Sequence, residues 1–192
     1  MWRDALFYKM LLHNINGKMY NVILNMYSDI KSCISYNNCK SEYFACENGV
    51  RQGENLSPFL FFLFLNDLES FLDSNNIIGL KTISESLENE LYVFLKFFII
   101  LYADDTVLLA ETADDLQAQL NSFFEYCNTW KMKVNVDKTK VLVFGFGRLP
   151  HNLRFSYDNV DIEIVKQFNY LGVIFTKTGN LILRKNICLI RP

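Results

Sequence analysis

Tyr102-Ala103-Asp104-Asp105 sets two adjacent carboxylates between two apolar runs, residues 97–101 and 107–110. Short runs rich in β-branched and aromatic residues predict strands, and the acidic break between them predicts a tight turn. Like charges side by side at a hairpin tip repel each other, and a counter-cation makes the arrangement favourable. Mg²⁺ takes oxygen ligands of this kind, usually one or two carboxylates completed by substrate phosphates. Asp104 and Asp105 are therefore candidate metal ligands for phosphoryl transfer, set against the plainer reading of an acidic turn. Asp114-Asp115, ten residues on, is a contrast within the same chain. There Thr112 can cap a helix with Asp115 three positions later, both acids favoured by the helix dipole, so that pair reads as structural.

Three further blocks accompany the acidic pair: Gly49-Val50-Arg51-Gln52-Gly53-Glu54-Asn55-Leu56-Ser57-Pro58, Asn135-Val136-Asp137-Lys138-Thr139-Lys140 and Tyr170-Leu171-Gly172. In this order, with Tyr102-Ala103-Asp104-Asp105, they resemble the reverse transcriptases of LINE-like retrotransposons, which lack long terminal repeats. The stretch beginning Trp2-Arg3-Asp4 resembles the helices that lead to the Arg-Gln-Gly loop, so the resemblance covers nearly the whole chain.

The resemblance implies an α+β fold, a polymerase palm whose antiparallel sheet is backed by helices, as one partial reverse transcriptase domain over residues 1–192. It implies nucleotidyl transfer: a primer 3′-hydroxyl attacks a nucleotide α-phosphate and pyrophosphate leaves, on an RNA template with a DNA primer and deoxynucleoside triphosphates. Asp104 and Asp105 would be the catalytic carboxylates and hold Mg²⁺. Arg51, Gln52 and Gly53 would meet nucleotide or template, with Tyr102 beside the primer end. Lys138 (or Lys140) would give a proton to departing pyrophosphate, and Tyr170, Leu171 and Gly172 would form the primer grip. The family carries another catalytic aspartate on a first palm strand, before the position of Trp2. Two-metal catalysis needs carboxylates on both sides of ions ~3.5–4 Å apart, which one hairpin cannot supply. Asp4 does not align with that residue. The expectation is an incomplete Mg²⁺ site: a palm without first strand, fingers or thumb, inactive alone. Alternatives are a catalytically dead nucleic-acid-binding palm and a retroelement remnant without function.

Seventeen Phe and ten Tyr in 192 residues, half of them hydrophobic, argue for one packed domain and against disorder. The most apolar stretches are shorter than the ~20 residues of a membrane span, so no membrane partner is expected. Five cysteines without Cys-x-x-Cys spacing predict reduced thiols in an intracellular protein, cytoplasmic or nuclear, and no zinc. Net charge divides along the chain as +1 over residues 1–60, −10 over 61–129 and +7 over 130–192. An acidic centre beside a basic third suits a metal site near phosphates.

These groups need elements to carry them. Helices are expected over residues 2–13, 18–29 and 113–131. A buried one, capped by Ser57 with Pro58 in its first turn, is expected to run to Leu72. Strands are expected near residues 32–36, 42–46, 141–144 and 168–175, with a hairpin turning at Asp158-Asn159. Residues 74–89 are expected as loop with a weak helix, and the chain is expected to trail off after Phe175.

Overall fold

A computed structural model describes residues 1–51, 53–77, 79–85, 92–97, 99–102, 105–145, 150, 152–178 and 186–190. The chain is α+β and divides into two units, Met1–Asp67 with Trp130–Met132, and Leu68–Thr129 with Lys133–Pro192. Among the described residues no helix is long and apolar enough to cross a membrane.

In the first unit, α1 (Arg3–Leu12) and α2 (Gly17–Tyr27) are joined by a turn in which Asn14 takes φ 57°. Asparagine tolerates that left-handed conformation, and the chain breaks there between the two expected helices. Two short antiparallel ladders follow, Lys31–Ser32 with Phe44–Ala45 and Ser35–Tyr36 with Cys39–Lys40, turning at Asn37-Asn38 with both φ positive. The expected helix after Ser57 is two helices, α3 (Ser57–Leu65) and, in the second unit, α4 (Leu68–Ser74), separated at Asn66-Asp67. Leu56, not Ser57, holds the cap position, because the Ser57 hydroxyl is donated to Arg51 O at 2.6 Å. Burial is also one-sided: Leu60 and Phe64 are fully buried, but Phe59 and Phe62 are 55% and 60% exposed.

A buried ammonium lies inside this apolar unit. Lys9 Nζ donates to Phe64 O and to Asp67 Oδ1, both at 2.6 Å, and sits 3.9 Å from the Trp130 ring centroid. Burial pulls its pKa down, and the bond and charge of Asp67 push it back up. Carbonyl, carboxylate and ring face together offset the loss of water that a buried cation suffers.

The second unit is built on a five-stranded sheet in the order Glu163–Val165, Lys140–Val143, Asn186–Ile190, Asp105–Ala110, Ile99–Tyr102. The first pair is parallel and the rest antiparallel, so the sheet is mixed, whereas the resemblance implied an antiparallel one. The chain does not trail off: Asn186–Ile190 is a central strand, pairing Leu189 with both Val107 and Lys140. Leu80–Glu85 is a strand as well, antiparallel to Tyr92–Phe97, where a loop was expected.

Helix α5 (Ala113–Thr129) packs Leu116, Leu120, Phe123 and Cys127 inward, the apolar stripe of its sequence. Gln119 Nε2 donates to Leu109 O at 2.7 Å, and Gln117 exchanges two 2.9 Å bonds with the Ser156 backbone. The helix thereby holds both the sheet and the hairpin that turns at Asp158-Asn159, found as expected. Thr112 caps the helix: its hydroxyl accepts from Asp115 N at 3.1 Å and donates to Asp115 Oδ2 at 2.6 Å. Asp115 is thus structural, as the contrast with Asp105 requires.

Candidate active site

Ile99–Tyr102 and Asp105–Ala110 form an antiparallel hairpin in which Tyr102 stands opposite Asp105. Asp105 is half-buried, whereas the next five residues, Thr106 to Ala110, are all buried. A strand anchored this deeply delivers its first carboxylate at the sheet's end with little freedom, which is what a metal ligand requires. Ala103 and Asp104 lie outside the described residues. Among the described residues no group of three or more His, Cys, Asp or Glu is arranged to hold a metal ion. The oxygen chemistry of the hairpin fits Mg²⁺, and further donors are needed to complete a coordination sphere.

Beside this strand stands a second hairpin, Gln167–Tyr170 with Val173–Thr176. Its turn is Leu171-Gly172, with φ of 51° and 82°. Phe168 and Tyr170 pack against Val107 and Leu109, so the Tyr-Leu-Gly turn is fixed to the strand that carries Asp105. Positive φ at both turn residues is what a two-residue hairpin demands. Gly172 meets the demand freely, whereas Leu171 meets it against its side chain while remaining exposed.

The lysine block forms a compact turn. Asn135 Oδ1 accepts from Lys138 N at 3.2 Å, and Asn135 O accepts from Thr139 Oγ1 at 2.9 Å. Lys140 is engaged, bonded to Asp137 O and Glu163 Oε2, each at 2.8 Å. Lys138 is exposed, and no ion pair of its ammonium occurs among the described residues.

The Arg-Gln-Gly loop belongs to the first unit, and Gln52 lies outside the described residues. Tyr27, 2% exposed, organises the rest: its hydroxyl donates to Glu54 Oε2 at 3.0 Å. The guanidinium groups of Arg3 and Arg51 lie 5.6 and 5.9 Å from its ring centroid. Arg51 further bonds Glu54 Oε1 at 3.1 Å and Met26 O at 2.9 Å, while Arg3 donates to Tyr27 O, Asn48 O and Gly49 O. Gly53 has φ 85°, a conformation that side chains resist, and a Cβ there would meet nothing within 4 Å. Sequence reasoning overlooked Tyr27 and Arg3. Their signal was a buried-type position holding a charge, Arg3 within the apolar face of α1, and the Ile23–Tyr27 spacing on α2.

The sequence pattern of the family described as reverse transcriptase (RNA-dependent DNA polymerase) matches residues 2–175. Among similar proteins is a retrovirus-related Pol polyprotein from the type-2 retrotransposable element R2DM of Drosophila melanogaster, 29% identical over 169 residues. That match takes in 83% of this chain and 15% of the relative. The RNA-directed DNA polymerase from the mobile element jockey of Drosophila funebris is 25% identical, over 97% of this chain and 19% of the relative. A Pol polyprotein from a type-1 element R2 of Nasonia vitripennis is 25% identical, over 88% and 16%. The chain thus spans less than a fifth of the length of each of these relatives. No solved structure matches. The four blocks and the pattern matched over residues 2–175 lead to one assignment: the chain belongs to the reverse transcriptase (RNA-dependent DNA polymerase) family.

Proposed function

We propose that the chain is the palm region of a retrotransposon RNA-directed DNA polymerase acting by nucleotidyl transfer. The observation that carries this reading is the hairpin pairing of Tyr102 with Asp105, buttressed by Tyr170 through Val107 and Leu109. Asp104 and Asp105 would hold Mg²⁺, which when bound stabilises charge on the transferring phosphate. Tyr102 would meet the primer end, and the small Ala103 would leave clearance. Leu171, held exposed in a strained turn, braces the primer with Tyr170 and Gly172. Lys138 protonates the departing pyrophosphate, a role its exposed ammonium suits better than the engaged one of Lys140. Arg51, Gln52 and Gly53 meet the nucleotide or template, on a loop that Tyr27 and Arg3 hold in shape. The substrates are an RNA template, a DNA primer and deoxynucleoside triphosphates.

A second reading is a palm that binds nucleic acid without synthesis, and Asp4 does not bear on the choice, being an exposed residue of α1 that accepts from Trp2 Nε1 at 3.0 Å. Primer extension with RNA template, nucleotides and Mg²⁺ tests whether these residues suffice for synthesis. The 192-residue chain alone is expected to extend no primer. Extension that Asp104→Ala abolishes would show that these residues suffice, against this expectation.

A further inference from the structure

We propose that a cavity of about 600 Å³ in the first unit, lined by Arg3, Ser32, Cys46 and Asn48, binds the phosphate group of a small molecule. Arg3 supplies the charge, and Ser32 and Asn48 supply further donors. The proposal stands apart from the metal reading above, and it gives a role to groups outside the four sequence blocks.

Arg3 is 8% exposed, yet among the described residues no carboxylate pairs with it. Its Nε donates to Gly49 O at 2.9 Å, Nη1 to Tyr27 O at 3.2 Å and Nη2 to Asn48 O at 3.3 Å. Of the five N–H groups of a guanidinium, three are thus spent and two remain. The carbonyls, and the Tyr27 ring at 5.6 Å, stabilise the cation through partial charges and bring no net negative charge. Buried charges are ordinarily balanced by opposite ones, and an anion in the cavity balances this one.

The other charges lining the cavity are already matched. Lys31 pairs with Asp29 at 3.2 Å, and Arg51 pairs with Glu54 at 3.1 Å, which leaves Arg3 to hold the anion. Neutral donors stand beside it. Ser32 Oγ accepts from Cys46 Sγ at 3.1 Å, so its own hydroxyl proton is left to donate. The exposed Asn48 side chain makes no hydrogen bond among the described residues, so its amide N–H groups are available too. Guanidinium, hydroxyl and amide are donors that an oxyanion takes, and the arginine fork matches two oxygens of one phosphate. The volume falls in the range of ~300–1,000 Å³ for small-molecule pockets, so the phosphate has room to carry an organic group.

Cys46, a free thiol lining the cavity, is a reporter for the site, and exposed Cys39 is its internal control. The test labels the 192-residue chain with a thiol reagent in EDTA at constant ionic strength, over a series of pyrophosphate concentrations. Peptide mapping then reads each cysteine. Pyrophosphate should slow labelling of Cys46 and leave Cys39 alone, and the concentration dependence gives the affinity. Ser32→Ala and Asn48→Ala should each weaken that affinity about fivefold, the loss of one neutral hydrogen bond. Arg3→Lys keeps the charge without the fork and should weaken it about tenfold or more. Far-UV circular dichroism confirms the folding of each variant, and the exposed Asn48→Ala position decides the matter where Arg3→Lys does not fold. Inorganic phosphate and adenosine monophosphate are titrated in the same way. Stronger protection by adenosine monophosphate would show that the site takes an organic phosphate, and equal protection that it takes the phosphate alone. Because EDTA removes divalent ions, failure here and failure of the metal reading are distinguishable. Absence of protection by all three anions, equal slowing at Cys39, or unaltered affinity in the Ser32→Ala/Asn48→Ala double variant would each overturn the proposal.

Discussion

Tyr27 donates its hydroxyl to Glu54 at 3.0 Å, with the Arg3 and Arg51 guanidinium groups near its ring. The Arg-Gln-Gly loop is therefore shaped from beneath by a core residue and not by its own backbone alone. Tyr27→Phe keeps the ring and removes the bond, and should cost about 1 kcal/mol. Tyr27→Ala also opens a cavity and should cost about 3–5 kcal/mol. Urea unfolding measures both, and equal losses would show that the ring contributes nothing.

Lys9 is held by Phe64 O, Asp67 and the Trp130 ring. Lys9→Ala removes both hydrogen bonds and the ring contact and leaves a void, with an expected loss of about 3 kcal/mol. Lys9→Met refills the volume and should recover part of it. The comparison, again by urea unfolding, separates packing from charge.

Cys127 is 1% exposed, and burial pushes its thiol up to about 11 from an ordinary 9.0. Its neighbour Tyr157 is pushed up too, chiefly by burial and then by Cys127. Because both pKa values are raised, the folded chain keeps protons that the unfolded chain releases. Stability is thus full below pH 9 and should fall by about 2–3 kcal/mol for Cys127 as pH rises from 9 to 11. The thiolate is the reactive form, so a thiol reagent at pH 8 should label exposed Cys39 quickly and Cys127 only on unfolding. Peptide mapping of the labelled protein reads this directly.

Leu171 holds φ 51° at an exposed turn beside Gly172. Leu171→Gly should stabilise the fold by about 1 kcal/mol through relief of that strain. If the side chain serves the primer, the same variant should bind primer–template more weakly. A thermal melt and a binding titration on one sample check both directions.

The legible parts of the chain were those where local chemistry and tertiary packing agree. The Thr112-to-Asp115 cap and helix α5 followed from spacing, and the turn at Asp158-Asn159 from residues that tolerate positive φ. The Asn186–Ile190 strand was hidden because Arg184, Lys185 and Arg191 surround a short apolar run whose partners are distant in sequence. Exposed Phe59 and Phe62 were hidden by their own composition, since an all-apolar helix carries no periodicity to say which side is covered. Of the candidate site, the strand pairing of Tyr102 with Asp105 and the Tyr-Leu-Gly turn were legible as motifs. The supporting roles of Tyr27 and Arg3 were not, because they depend on contacts between residues 24 and 46 positions apart.

We propose that the Asp104-Asp105 pair is a metal site and that the Asp114-Asp115 pair is not. Mn²⁺, a hard-ligand substitute for Mg²⁺, can be titrated by electron paramagnetic resonance with primer–template and a nucleoside triphosphate present. Asp104→Asn and Asp105→Asn should each weaken Mn²⁺ retention about tenfold or more, and Asp114→Asn should leave it unchanged while slightly destabilising helix α5. Unaltered retention in the Asp104→Asn/Asp105→Asn variant, or equal loss in Asp114→Asn, would contradict the account.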